Sequence, residues 1–210
     1  SATFYFRVKP KLKSGARGLI SGGKPVQRSI KGTDYDNLDL LPADFSLRNL
    51  DVAFDNLKRS KKRLRKILRP FKAEYDLIFL DCPVTISILA DNVLNATDYT
   101  LVPLIPTTFS VRTFYQLLDY FRKEPSKHLQ LLPFFSMYDK KKQLHRQIVA
   151  TLPGEFRGIL NSAIPYAKRV ELMGVERAPV GHFAANSKAG RAYKRLWQEV
   201  QQQVLDSRNY

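Results

Sequence analysis

The sequence is poor in cysteine and short of acidic residues, and it lacks long apolar runs. Cys82 is the only cysteine in 210 residues. One cysteine excludes an intramolecular disulfide framework and suits a reducing cytoplasm. Its place in an apolar run predicts a packed thiol rather than a nucleophile, because no dedicated base stands nearby. No apolar run approaches the roughly 20 residues needed to span a bilayer, and no signal-peptide pattern opens the chain. His128, His145 and His182 are scattered without metal-ligand spacing, which predicts structural or surface histidines. A glycine-rich phosphate loop is also missing. Ser21-Gly-Gly-Lys24 comes nearest, but Pro25 stands where G-x-x-x-x-G-K-[ST] requires serine or threonine. That stretch reads as a turn.

What is present is positive charge and apolar residues. Lys and Arg number 35 against 19 Asp and Glu, a formal net charge of +16. An excess this large in a 24.1 kDa chain predicts attraction to polyanions, nucleic acid ahead of anionic membrane. The hydrophobic fraction of 44% supplies a sizeable core. Residues 1–34 read as an atypical, basic and partly flexible segment. Asp36–Pro42 reads as a short buried strand and turn. Residues 44–69 read mostly as helix, with Leu57, Leu64, Ile67 and Leu68 on one face and Lys58, Arg59, Lys61, Lys62, Arg63, Arg65, Lys66 and Arg69 on the other. Pro70 ends that helix. The cationic face is either solvated or binds a polyanion. Further strands are expected at 99–106, 129–136 and 158–165. Helices are expected at 85–96, 110–122 with Ser110 as N-cap, 142–151 and 187–205. Strands alternating with helices predict an α/β fold with a doubly wound, mostly parallel sheet and helices on both faces.

One run within this pattern points to chemistry. Tyr75-Asp-Leu-Ile-Phe-Leu-Asp-Cys-Pro83 is an apolar run closed by Asp81 and a proline. It reads as a buried parallel strand. The C-terminal ends of such strands are where open α/β sheets place ligands. A lone carboxylate there suits a hydrated Mg²⁺ beside a nucleotide phosphate.

Several segments in order then resemble the ParA/Soj/MinD group of deviant-Walker ATPases, above all the ParA-type partition proteins. Asn37-Leu-Asp-Leu-Leu-Pro-Ala43 looks like the segment before the family's middle helix. Tyr75–Pro83 looks like its Walker B strand. Asp91-Asn-Val-Leu-Asn-Ala-Thr-Asp98, Leu101-Val-Pro103, Met137-Tyr-Asp139, Ile164-Pro165 and Tyr193-Lys-Arg-Leu196 follow in the family's order. The likeness runs from about residue 33 to about 201. It implies a single ParA-like domain over 1–210, with a P-loop NTPase-like fold lacking its first strand and phosphate loop. Two departures stand out. Val84 replaces a second proline. The lysine-bearing loop and the acidic switch residue would lie upstream of Ser1, so the chain looks like a ParA with roughly its first quarter removed.

The resemblance also implies roles. ATP and Mg²⁺ would be the cofactors, with Asp81 holding the metal through water and no catalytic residue within this chain. Met137, Ile164 and Pro165 match positions near the adenine, although core packing explains Met137 and Ile164 equally well. Lys141 and Arg169 match basic positions that contact DNA, and Lys140, Lys142, Arg146 and Lys168 thicken that patch. Such contacts would go to phosphates and carry no sequence information. The implied partners are non-specific DNA, a ParB-like or cargo adaptor protein and a second copy in an ATP-dependent homodimer. The implied location is the cytoplasm, on the nucleoid. The implied activity is ATP hydrolysis that distributes a chromosome, plasmid or protein cargo. The alternative is a non-enzymatic DNA-binding or interaction module that keeps the fold without turnover. MinD-like membrane docking is disfavoured: the apolar stripe Trp197, Val200, Val204 and Leu205 is flanked by Glu199 and Asp206, and Arg208-Asn-Tyr210 adds no basic amphipathic extension.

Overall fold

The computed structural model describes residues 2–55, 57, 60–82, 87–123 and 129–206. Lys58, Arg59, Pro83, Val84, His128 and the segment 208–210, each invoked above, lie outside the described residues, as do the side chains of Leu205 and Asp206. The chain divides into two units, Ser1–Asp98 and Tyr99–Tyr210.

The first unit is mainly short helices around an apolar centre. In chain order it has α1 (Ala2–Tyr5), α2 (Gly15–Ser21), α3 (Lys24–Gln27), β1 (Lys31–Gly32), β2 (Asp39–Leu40), α4 (Leu50–Asp55), α5 (Arg63–Leu68) and α6 (Ile88–Ala96). Leu19, Val26, Leu50, Phe54, Ile67 and Phe71 form the core. The N-terminal stretch is thus partly helical and donates Leu19 and Val26 to that core. Asp44 anchors it further. Its carboxylate accepts from the Leu12 N–H at 2.9 Å and the Ser46 N–H at 2.9 Å. The Ser46 hydroxyl and then the Leu12 N–H hold the Asp44 carboxyl below its ordinary range. Ser21-Gly-Gly-Lys24 is the expected turn, joining α2 to α3. Gly22 (φ 71°) and Gly23 (φ 64°) take left-handed conformations open to glycine, and Pro25 lies in the first turn of α3.

Three expectations for this unit are corrected. The strand over Asp36–Pro42 shrinks to β2, paired antiparallel with β1 and largely exposed; a two-stranded ribbon has no second layer to bury it. The helix over 44–69 is two short α-helices with 3-10 turns at Phe45–Asn49, Ser60–Lys62 and Arg69–Ala73. Crowded like charges at i,i+3 and i,i+4 weaken a continuous helix here. Pro70 sits inside the last 3-10 turn, and the α-helix ends before it, at Leu68. The third correction concerns the buried strand over 75–81. Among the described residues this segment joins no sheet, and Leu77, Ile78 and Phe79 are exposed. A strand buried on both faces needs a ladder partner on each edge, and among the described residues none pairs with it.

The start of α5 depends on a residue two elements away. Asn92 of α6 is fully buried; its Oδ1 accepts from the Leu64 N–H at 3.0 Å, and its Nδ2 donates to the Ile88 carbonyl at 2.8 Å. Leu64 is in the first turn of α5, where backbone N–H groups have no intrahelical acceptor. Asn92→Ala should therefore leave that donor buried and unpaired, at a cost of about 1–3 kcal/mol. Chemical denaturation should show the midpoint falling with an unchanged slope.

The second unit is a three-layer α/β sandwich. It contains β3 (Tyr99–Leu104), α7 (Thr108–Lys123), β4 (Gln130–Tyr138), α8 (Gln143–Glu155), β5 (Ala163–Pro165), α9 (Lys168–Glu176), α10 (Val180–Phe183) and α11 (Lys188–Asp206). The strand order is β3–β4–β5, and both pairings are parallel. Side chains alternate across β4 as a pleat demands. Leu131 and Phe135 face a cluster with Phe114 and Leu118 of α7 and Leu152 of α8. Leu132 and Phe134 face Ala192, Leu196 and Val200 of α11. The parallel sheet with helices on both faces is as the sequence predicts. Two details differ. Thr107, not Ser110, caps α7: its hydroxyl accepts from the Ser110 N–H at 3.3 Å. The last strand covers 163–165 only. Helices α9 and α10 are additional. Gly190 is required at the start of α11, because a Cβ there would lie 2.5 Å from the carbonyl oxygens of Ala184 and Ala185.

Candidate nucleic-acid interface at the strand C-termini

Two loops leave the sheet side by side. Tyr138 at the end of β4 and Pro165 at the end of β5 are ladder partners, and the Tyr166 N–H donates to the Tyr138 carbonyl at 3.0 Å. Everything that follows these two residues therefore emerges at one edge, the C-terminal edge where parallel sheets bind ligands.

The loop after β4 carries Lys140, Lys141 and Lys142, all exposed. It is fixed from its own backbone. The Asp139 N–H donates to His145 Nδ1 at 3.1 Å, the Asp139 carboxylate accepts from the Lys141 N–H at 2.9 Å, and its carbonyl accepts from the Lys142 N–H at 3.2 Å. Arg146 Nη1 donates to the carbonyls of Lys140 at 2.8 Å and Lys141 at 3.2 Å. The loop is hydrogen-bonded at its base while its three lysine side chains are exposed to water. Arg146, predicted as a phosphate contact, spends part of its guanidinium on this scaffold. His145 is buried and structural, as its isolation in the sequence suggests. Its role in accepting the Asp139 N–H was not legible there.

The loop after β5 leads into α9. Lys168 and Arg169 occupy the first turn and are exposed, and no side chain caps the helix. Cations at a helix N-terminus oppose its dipole; Glu171 in the same turn offsets part of that, and a bound anion would add to the offset. The structure thus brings Lys140, Lys141, Lys142, Lys168 and Arg169 to one edge of one sheet, with Arg146 behind them.

The residues expected near a base divide. Ile164 is 2% exposed and packs in the core with Leu132 and Leu196, so its side chain cannot meet a ligand. Met137 is 45% exposed, with a left-handed φ of 52°, where the β4–β5 register breaks. An L-residue is rarely held there, and such positions gather at functional edges. Pro165 is half-buried beside it. Tyr166 (59% exposed) and Phe109 (78% exposed), just past the end of β3, add aromatic surface that the sequence reading missed. The signal for Tyr166 was its position directly after Ile164-Pro165.

Asp81 lies in the first unit, exposed at the end of the extended segment, and accepts from the Ala2 N–H at 3.3 Å. The adjoining Cys82 is exposed rather than packed; partial burial of its sulfur and then the Asp81 charge push the thiol above its ordinary range. Among the described residues no group of three His, Cys, Asp or Glu could hold a metal. One carboxylate fits outer-sphere Mg²⁺, which needs phosphate oxygens as well. The turn at Gly22–Gly23 is no phosphate cradle. The described residues therefore do not by themselves fit MgATP.

A parallel sheet sandwiched between helices matches the fold of P-loop NTPase-like proteins. The chain belongs to an AAA domain family that takes in the ParA/MinD-type ATPases; the family model matches residues 5–131. It is 26% identical over 187 residues to a chromosome-partitioning ATPase Soj from Treponema pallidum, covering 87% of this chain and 74% of the relative. It is 27% identical over 182 residues to a chromosome partitioning protein ParA from Myxococcus xanthus, covering 84% and 64%. The fold is similar to that of the cell division ATPase MinD from Pyrococcus furiosus, with a TM-score of 0.73 at 17% identity, covering 95% of this chain and 80% of that one. No described helix is long and apolar enough to cross a membrane.

Proposed function

We propose that the chain acts as a ParA/Soj-type partition ATPase on the nucleoid in the cytoplasm and binds DNA without sequence preference. Lys140, Lys141, Lys142, Lys168 and Arg169 hold phosphates in this reading, and Arg146 holds the lysine loop in place. ATP and Mg²⁺ are its cofactors, with Asp81 toward the metal and Met137 and Pro165 toward the base. ATP-dependent pairing with a second copy doubles the positive field, so nucleotide switches DNA affinity. A ParB-like or cargo adaptor is the implied stimulator, and a chromosome, plasmid or protein assembly the cargo. The names of the curated relatives support partition. The observation that carries DNA binding is the hydrogen-bonded lysine loop beside Lys168 and Arg169 at the start of α9, on paired strand ends.

A second reading, a DNA-binding module without turnover, is favoured by the exposure of Asp81 in a segment that joins no sheet among the described residues. Both readings share the DNA test. Duplexes of unrelated sequence should bind the 210-residue chain with similar affinity, and that affinity should fall steeply with salt. Sequence-selective or salt-insensitive binding contradicts both.

A further inference from the structure

One face of α5 and the 3-10 turn after it is cationic from end to end. Lys62, Arg65, Lys66, Arg69 and Lys72 are all exposed, while Leu64, Ile67 and Phe71 on the opposite face are buried. Recurrence at three, four and seven residues places the five cations in one stripe. At roughly 1.5–2 Å of rise per residue it is about 15–20 Å long. The neighbouring cations are occupied within the fold: Lys61 pairs with Asp91 at 3.1 Å, and Arg63 donates to the Ile20 carbonyl at 2.6 and 3.0 Å. The five in the stripe have no hydrogen bond or ion pair from their side chains among the described residues. No acidic residue stands between Ser60 and Ala73 to relieve them. Like charges so spaced destabilise a short helix, and among the described residues no ion pair to these five offsets that cost.

We infer that this stripe is a second nucleic-acid surface, binding the phosphate backbone through residues other than those of the β4–β5 edge. Duplex DNA carries about one charge per 1.7 Å of axis, so a stripe of this length faces several phosphates whatever the sequence. A membrane surface fits less well. A helix lying in a bilayer interface inserts an apolar face beside its cations, and here the apolar face is already in the core. The inference shares the polyanion reading of the proposed function but none of its residues.

The test is binding of a fluorescently labelled duplex to the 210-residue chain across a salt series. Arg65→Gln with Lys66→Gln and Arg69→Gln should weaken binding about tenfold or more at low salt and make the log–log salt slope shallower by roughly 3. Lys62→Gln with Lys72→Gln, outside the body of α5, should make it shallower by roughly 2. Circular dichroism should be unchanged in both, since every side chain altered is exposed. An unchanged slope in folded variants of both kinds overturns the inference. So does a loss confined to vesicles containing anionic lipid with DNA binding intact. If Lys141→Ala with Arg169→Ala leaves binding intact while the α5 variants reduce it, the β4–β5 edge fails and this surface stands.

Discussion

Replacing Lys141 and Arg169 by alanine together should lower affinity for duplex DNA by about 10–100-fold at low salt and make the salt slope shallower by roughly 2, equally for every sequence tested. Lys141 lies in the loop that Arg146 and the Asp139–His145 contact hold, so its ammonium is presented from a fixed base. Arg169 is in the first turn of α9, which no side chain caps, so its charge stands beside backbone N–H groups that a phosphate could also meet. Neither side chain packs in a core, so the loss should come without a change in thermal stability. Lys141→Ala alone should produce roughly half of the slope change. A loss restricted to one DNA sequence would mean that these residues read bases, contrary to a phosphate-only role.

The 210-residue chain alone should hydrolyse no ATP above background, and in a version carrying a phosphate loop upstream Asp81→Ala should reduce Mg²⁺-dependent turnover by on the order of a hundredfold. Phosphoryl transfer depends on cations and backbone N–H donors arranged around the β- and γ-phosphates. Asp81 is an exposed carboxylate at the end of its segment, and among the described residues no group of three His, Cys, Asp or Glu could hold a metal. Steady-state phosphate release measures both halves. Appreciable turnover by the 210-residue chain would show that a phosphate site exists among its own residues. An unaffected rate in the extended Asp81→Ala variant would remove Asp81 from the metal site.

The sheet was legible because its strands carry their own pattern. Tyr99–Leu104 and Gln130–Tyr138 are apolar runs set between amphipathic helices, and α7, α8 and α11 recur at helical spacing. The basic edge was legible because Lys140–Lys142 and Lys168–Arg169 each follow a strand directly. Three things were not. Asn92 looks like an ordinary helical polar residue, and only tertiary contact shows it holding the first turn of α5. Ile164 and Pro165 are neighbours in sequence but opposites in burial, because side chains alternate across a strand. The segment 75–81 has the composition of a central strand, and composition does not reveal whether a ladder partner lies beside it. The same limit applies to Arg146, whose charge suggests a ligand contact while its geometry makes it a brace for the lysine loop.

Amide hydrogen exchange of the 210-residue chain with and without duplex DNA tests the central claim most directly. Backbone N–H groups that face bound phosphates, or that bound DNA rigidifies, exchange more slowly. The account predicts added protection across Asp139–Arg146 and Tyr166–Val170, lost at high salt and independent of DNA sequence. Protection absent from both segments while DNA is bound would contradict it.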